Sequence, residues 1–119
     1  MGSTIYNEEK VETKVSDLNT LGQEIYQNAV EKGFYEHKPS FAERIALMHS
    51  ELSEALEADR KDLMDDKLTH RKGTEVELAD CLIRILDCAA YMGMDIDGAV
   101  KEKMAYNKTR PYKHGGKKY

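Results

Sequence analysis

The segment Val76–Tyr91 limits the fold more than any other part of the chain. It reads VELADCLIRILDCAAY. Wound as a helix, it places Val76, Leu78, Ala79, Leu82, Ile83, Ile85, Leu86, Ala89 and Ala90 around most of the cylinder. Only a narrow polar strip remains, made of Glu77, Asp80, Arg84, Asp87 and Tyr91. A helix this apolar needs burial on most sides. A chain of 119 residues builds one modest core. The segment therefore calls for a helical bundle completed by another subunit. No strand-like alternation, internal repeat or glycine-rich phosphate loop competes with this reading. The expected class is all-α, a four-to-five-helix bundle completed by oligomerisation.

The rest of the chain supplies the partner helices. Ser16 is a plausible N-cap, followed by Leu18, Leu21, Ile25, Ala29 and Val30 at helical spacing, with Gly33 as the stop. Residues 34–39 form a short aromatic and polar loop ending in Pro39. Ser40 with Glu43 is a capping box that opens a second helix near Phe41. Its apolar stripe is Ile45, Met48, Leu52, Ala55 and Leu56, with Glu54 opposite and Glu51 and Glu57 on the flanks. Lys61–Gly73 reads as a charged connection. Thr74 is expected to cap the third helix, with Glu77 in the capping-box position. Gly93 ends that helix, Asp95 or Asp97 starts a fourth that runs to about Lys108, and Pro111 stops it. Residues 1–15 read as a loose arm, 16–110 as the domain, and 111–119 as a basic tail.

The chemistry concentrates in two short acidic pairs. Glu51 and Glu54 in E-L-S-E, and Glu77 and Asp80 in E-L-A-D, each place two carboxylates three residues apart on one helical face. If the two helices lie side by side, four acids converge and repel unless a cation sits among them. An oxygen-only ligand set suits magnesium, with manganese as a substitute. Each acid also has an ordinary reading: a solvated face for Glu51 and Glu54, a cap for Glu77, and pairing with Arg84 for Asp80 and Asp87. The third helix has so little polar surface that its one strip should face something polar, and this favours the shared site. A di-iron bundle would need Glu-x-x-His pairs. None of His37, His49, His70 and His114 has a Glu three residues before it.

Lys103, Asn107 and Arg110 fall at i, i+4 and i+7 on the fourth helix. They suit either phosphate neutralisation or a solvated basic helix end. Phe34, Tyr35 and His37 suit either stacking on a nucleobase or a hydrophobic staple under the next helix. The formal net charge of −4 argues against a general nucleic-acid binder. No apolar run approaches the roughly 18 residues that span a bilayer, and no signal-peptide pattern is visible. Cys81 and Cys88, seven residues apart on one helix, sit roughly 10 Å apart and cannot bond. The expected location is cytoplasmic, with no membrane or nucleic-acid partner.

The acidic pattern resembles the MazG-like all-α nucleoside triphosphate pyrophosphatase superfamily. The likeness rests on Glu51, Glu54, a 22-residue gap, then Glu77 and Asp80. It extends through SELSEALEADR at Ser50–Arg60, ELADCLIRILD at Glu77–Asp87 and KMAYNKTRPYKHGGK at Lys103–Lys117. The resemblance implies a magnesium-dependent cleavage of a nucleoside triphosphate to monophosphate and pyrophosphate, with a house-cleaning role toward unwanted nucleotides. It implies that Glu51, Glu54, Glu77 and Asp80 hold the metal and that one of the acids, or the metal, activates the attacking water. Lys103, Asn107, Arg110 and Lys108 would contact the phosphates, and Phe34, Tyr35 and His37 the base. A homodimer or a dimer of dimers is implied. A phosphoribosyl-ATP pyrophosphatase and a non-catalytic nucleotide- or protein-binding oligomer are the alternatives. The chain has no tryptophan, so the base pocket of tryptophan-containing relatives does not carry over.

Overall fold

The computed structural model describes residues 17–112. The arm expected over 1–15, residue 16 and the tail beyond 112 lie outside the described residues. Among the described residues four helices follow one another: α1 (Leu18–Glu31), α2 (Phe41–Lys61), α3 (Gly73–Tyr91) and α4 (Ile96–Lys108). The fold is all-helical. Among the described residues there is no strand beyond one isolated bridge between Met64 and Lys72.

The helix ends follow from local chemistry. Asp17 caps α1 by accepting from the Thr20 N–H at 2.7 Å. The cap is thus one residue later than the expected Ser16, because an ionised carboxylate accepts more strongly than a hydroxyl. Ser40 and Glu43 form both halves of the capping box. Three of the helices close with the same motif. Phe34, Leu63 and Met94 donate back five residues, to Ala29, Ala58 and Ala89. The residue before each donor turns left-handed: Gly33 (φ 84°), Asp62 (φ 53°) and Gly93 (φ 70°). Asp62 holds a conformation that short acidic side chains tolerate better than most.

The start of α3 differs from the expectation. Thr74 is inside the first turn, the cap position is Lys72, and no side chain caps the helix. The connection explains the shift. Asp65 accepts from the Lys67 and Leu68 N–H groups, Arg71 carbonyl accepts from Asp65 N–H, and Gly73 N–H donates to Leu63 carbonyl. This small closed loop sets Gly73 against the end of α2, where an added Cβ would meet Ala58 Cβ at 3.0 Å. Glu77 is thereby freed from any capping role.

α3 is the centre, with α2 along one side and α1 along another. α1 comes close through Gly22, where a Cβ would lie 2.9 Å from the Leu86 carbonyl oxygen. Leu86, Cys81, Cys88 and Ala89 of α3 and Ala58 of α2 form the buried apolar core, and both cysteines are free. α2 buries only part of the apolar stripe expected of it. Ile45, Met48 and Ala55 are half-buried, beside Arg44, Glu51 and Ala58, while Leu52 and Leu56 are exposed. On α3, Leu78, Leu82, Ile83 and Ile85 are also exposed. Among the described residues, no helix is long and apolar enough to cross a membrane.

Candidate metal centre

The polar strip of α3 runs along the packed side of α2 in antiparallel register. At one end Glu51 meets Asp80 and Arg84, and two turns along Arg44 meets Asp87. One carboxylate oxygen each from Glu51, Glu77 and Asp80 lies within 4.8 Å of the others. Oxygens on opposite sides of a magnesium ion at 2.0–2.1 Å are about 4 Å apart, so small side-chain shifts would let this triad hold one. Glu54, exposed and one turn on, is outside the converging set but near enough to influence it electrostatically.

Electrostatics mark the triad as uncompensated. Burial pushes the Glu77 carboxyl up to about 7, helped by its hydrogen bond to Glu51 and the charges of Glu54, Asp80 and Glu51. Asp80 is also raised, by burial first and then by Glu51 and Asp65. The neighbouring cation is Arg84, whose Nε donates to Glu51 Oε2 at 2.8 Å. Arg84, for which pairing with Asp80 or Asp87 on its own helix is the ordinary alternative, reaches across to Glu51, and Asp87 has a different partner.

That partner is Arg44, only 7% exposed. Its Nη1 donates to the Tyr35 hydroxyl at 3.0 Å and lies 3.6 Å from Asp87 Oδ2. The Tyr35 hydroxyl donates onward to Asp87 Oδ2 at 2.8 Å. Burial and the Asp87 hydrogen bond push Tyr35 up to about 12. The Arg44 guanidinium lies 4.3 Å from the Tyr91 ring centroid, and Tyr35 stacks on Tyr91 at 5.1 Å while Tyr26 meets Tyr35 edge-on at 4.9 Å. Arg44 Nη2 and Asp87 Oδ1 are buried without a partner.

A cavity of about 420 Å³ joins the two clusters. Glu51, Asp80 and Arg84 line one part, and Arg44, Tyr35 and Asp87 another. Its volume is in the range that takes a small organic ligand. Phe34 lines it too, with 72% of its surface exposed. His37 is exposed and does not line it, and Tyr35 is engaged in the buried hydrogen-bond cluster.

Lys103, Asn107, Lys108 and Arg110 are exposed. α4 packs mainly on α1, and none of these four residues lines the cavity that Glu51 and Asp80 border. Arg44 and Arg84, which sequence reasoning did not place in a pocket, line it instead. Arg44 had one readable signal: it shares a helical face with Met48, Glu51, Ala55 and Ala58. No family model, curated protein or solved structure matches the chain.

Proposed function

We propose that the chain is a magnesium-dependent nucleotide pyrophosphohydrolase, of the MazG-like all-α type, working as a homo-oligomer. The observation that carries this reading is the convergence of Glu51, Glu77 and Asp80, of which Glu51 and Asp80 line a cavity of about 420 Å³. Like charges brought together across two helices raise the free energy of the metal-free fold, and a divalent cation relieves them. Magnesium held there would neutralise charge on a triphosphate and polarise its phosphoryl oxygens.

The chain's own groups divide the remaining work. Glu77, raised to about 7, can take or release a proton near neutral pH. Glu54 sits at the rim and adds negative charge there. Arg84 lines the cavity beside the acids and can follow a phosphate oxygen. The nucleoside part would occupy the cavity toward Arg44 and Asp87, with Phe34 offering an exposed ring at the wall.

The test is pyrophosphate release from a panel of natural and modified nucleoside triphosphates and phosphoribosyl-ATP, with and without magnesium. Release only with magnesium, lost in Asp80→Asn, is the expected result. Binding without turnover of any member of the panel would favour the non-catalytic oligomer, and turnover of phosphoribosyl-ATP alone would move the substrate.

A further inference from the structure

We infer that Arg44 is a positioning residue: with Tyr35 and Asp87 it locks the register of α2 on α3, and so fixes how Glu51 and Asp80 face each other. The inference rests on the metal-site reading above and deepens it, because the lock decides which divalent cation the acids accept.

The register follows from residue spacing on the two antiparallel helices. Three pairs of positions meet across the seam. Arg44 Nη1 lies 3.6 Å from Asp87 Oδ2, and a Glu51 oxygen lies within 4.8 Å of an Asp80 oxygen. A Cβ on Gly73 would lie 3.0 Å from Ala58 Cβ. On α2, seven residues separate Arg44 from Glu51 and Glu51 from Ala58. On α3, seven separate Gly73 from Asp80 and Asp80 from Asp87. Seven residues are close to two helical turns, about 10 Å, so each set of three shares one face of its helix. Glu51 and Asp80 therefore stand midway between two locks, with Glu77 one turn nearer Gly73.

The locks differ in kind. At Ala58 and Gly73 the backbones pack closely, and the bond from Gly73 N–H to the Leu63 carbonyl closes the short connection between the helices. At the other end, side chains make the hold. Arg44 is buried, with its Nη1 donating to the Tyr35 hydroxyl and its guanidinium against the Tyr91 ring. Tyr35 belongs to the loop before α2 and donates on to Asp87, so the clasp ties that loop, α2 and α3 together. A buried charged pair adds little net stability over apolar packing of similar volume, and its best-attested use is to select one register. Without the clasp, α2 would pivot at the Gly73 end, and a displacement at residue 44 would reach the acids at about half its size. Magnesium demands near-ideal octahedral geometry at about 2.0–2.1 Å, whereas calcium accepts flexible arrangements at about 2.3–2.6 Å. A loosened triad loses magnesium first.

Arg44→Met/Asp87→Asn removes both charges together, which separates holding the fold from setting the register. The first readout needs no metal. Nitroxide labels on Ala46→Cys and Leu82→Cys, both exposed positions, report the distance from α2 to α3 in labelled chains diluted into unlabelled protein. Cys81 and Cys88 are buried and stay unlabelled. With Arg44 and Asp87 present the distance should be single and narrow, and in the double variant it should broaden or shift. An unchanged distance in the folded double variant would overturn the lock, whatever the protein does with metal. The second readout is calorimetric titration with magnesium and with calcium. The double variant should lose about ten- to a hundredfold in magnesium affinity. Its calcium affinity should fall by about threefold or less. Equal losses for the two ions, or no loss, would overturn the positioning role. Arg44→Lys keeps the charge but not the planar fork, so it should move both readouts in the same direction by less, and it decides the matter if the double variant does not fold. A distance that broadens while the wild type binds neither ion would leave the lock standing and remove the metal reading instead.

Discussion

The two ends of the α2/α3 seam use the same helices and the same polar strip, yet they resolve their charges differently. At Arg44, Tyr35 and Asp87, a buried cation, a hydroxyl and an acid close on one another within 3.6 Å. At Glu51, Glu77 and Asp80, three acids converge, and the single neighbouring cation, Arg84, is itself 40% exposed. A buried polar cluster that neutralises itself stabilises and orients the fold. One that leaves like charges facing each other is stable only because something else relieves it. The contrast separates the structural end of the seam from the ligand end, and each substitution below tests one side of it.

The largest effect is expected at the closed end. Arg44→Met keeps most of the volume but leaves Asp87, 20% exposed at the cavity wall, without its counter-ion, and should cost about 3 kcal/mol in urea unfolding. Adding Asp87→Asn should recover a large part of that loss. A single variant that loses less than about 1 kcal/mol would mean that Asp87 reaches solvent, and the two ends would no longer differ in kind. Tyr35→Phe comes next, because it removes only the hydroxyl joining Arg44 to Asp87. It should cost about 1.5–3 kcal/mol, the range for hydrogen bonds to charged groups. Its effect should vanish in the Arg44→Met/Asp87→Asn background, which a double-mutant cycle measures.

Much of this architecture was legible in the chain. The spacing of apolar residues located four helices, and Gly33, Gly93, Asp95 and the Ser40–Glu43 box marked ends that the structure keeps. Those features act within four or five residues, so local chemistry decides them. What escaped was set by contacts between distant residues. The loop closed by Asp65 moved the start of α3 ahead of Thr74 and freed Glu77. Arg44 turned the packed side of α2 away from Leu52 and Leu56, because Asp87 gives it a counter-ion, Tyr35 a hydrogen bond and Tyr91 a ring face. Arg84 crossed to Glu51, and Asp87 has a different partner. The acidic pairs could be read in advance, since an E-x-x-E on one helix needs no tertiary information to share a face. Where α4 would stand could not, since Asp95 and Asp97 find their partners at Leu18 and Asn19, at the far end of the domain.

At the open end, pH offers a graded test. Glu77 sits near 4.5 when unfolded and is raised to about 7 in the fold. Between those values the folded state binds more protons than the unfolded one. The contribution of Glu77 to metal-free stability should therefore be fully present below pH 4.5 and be lost as pH rises through about 7. With solvent screening at this half-buried site, the total is on the order of 1 kcal/mol. Glu77→Gln should flatten that slope in the metal-free protein, and saturating magnesium should flatten it in the wild type, since cation binding favours the deprotonated triad. An unchanged slope in both cases would mean that Glu77 is solvated and the acids do not share a site.

Arg84 lies where the two ends meet, and its replacement should change stability least while discriminating most. Its pair with Glu51 is short, at 2.8 Å, but Arg84 is 40% exposed. Water screens such a pair, so Arg84→Gln should cost under about 1 kcal/mol. The same nitrogen occupies one of the two oxygens Glu51 could offer a cation, so the two compete for Glu51. Removing the arginine should tighten magnesium binding by about three- to tenfold, as expected when a charge-assisted hydrogen bond no longer opposes the ion. Calorimetric titration with magnesium alone measures this without any substrate. If Arg84 also follows phosphate once the metal displaces it, the variant's KM for triphosphate should rise even as its metal affinity improves. Opposite movements of those two constants would place Arg84 in the ligand end of the seam. A loss of stability as large as that of Arg44→Met, with metal affinity unchanged, would place it in the structural end.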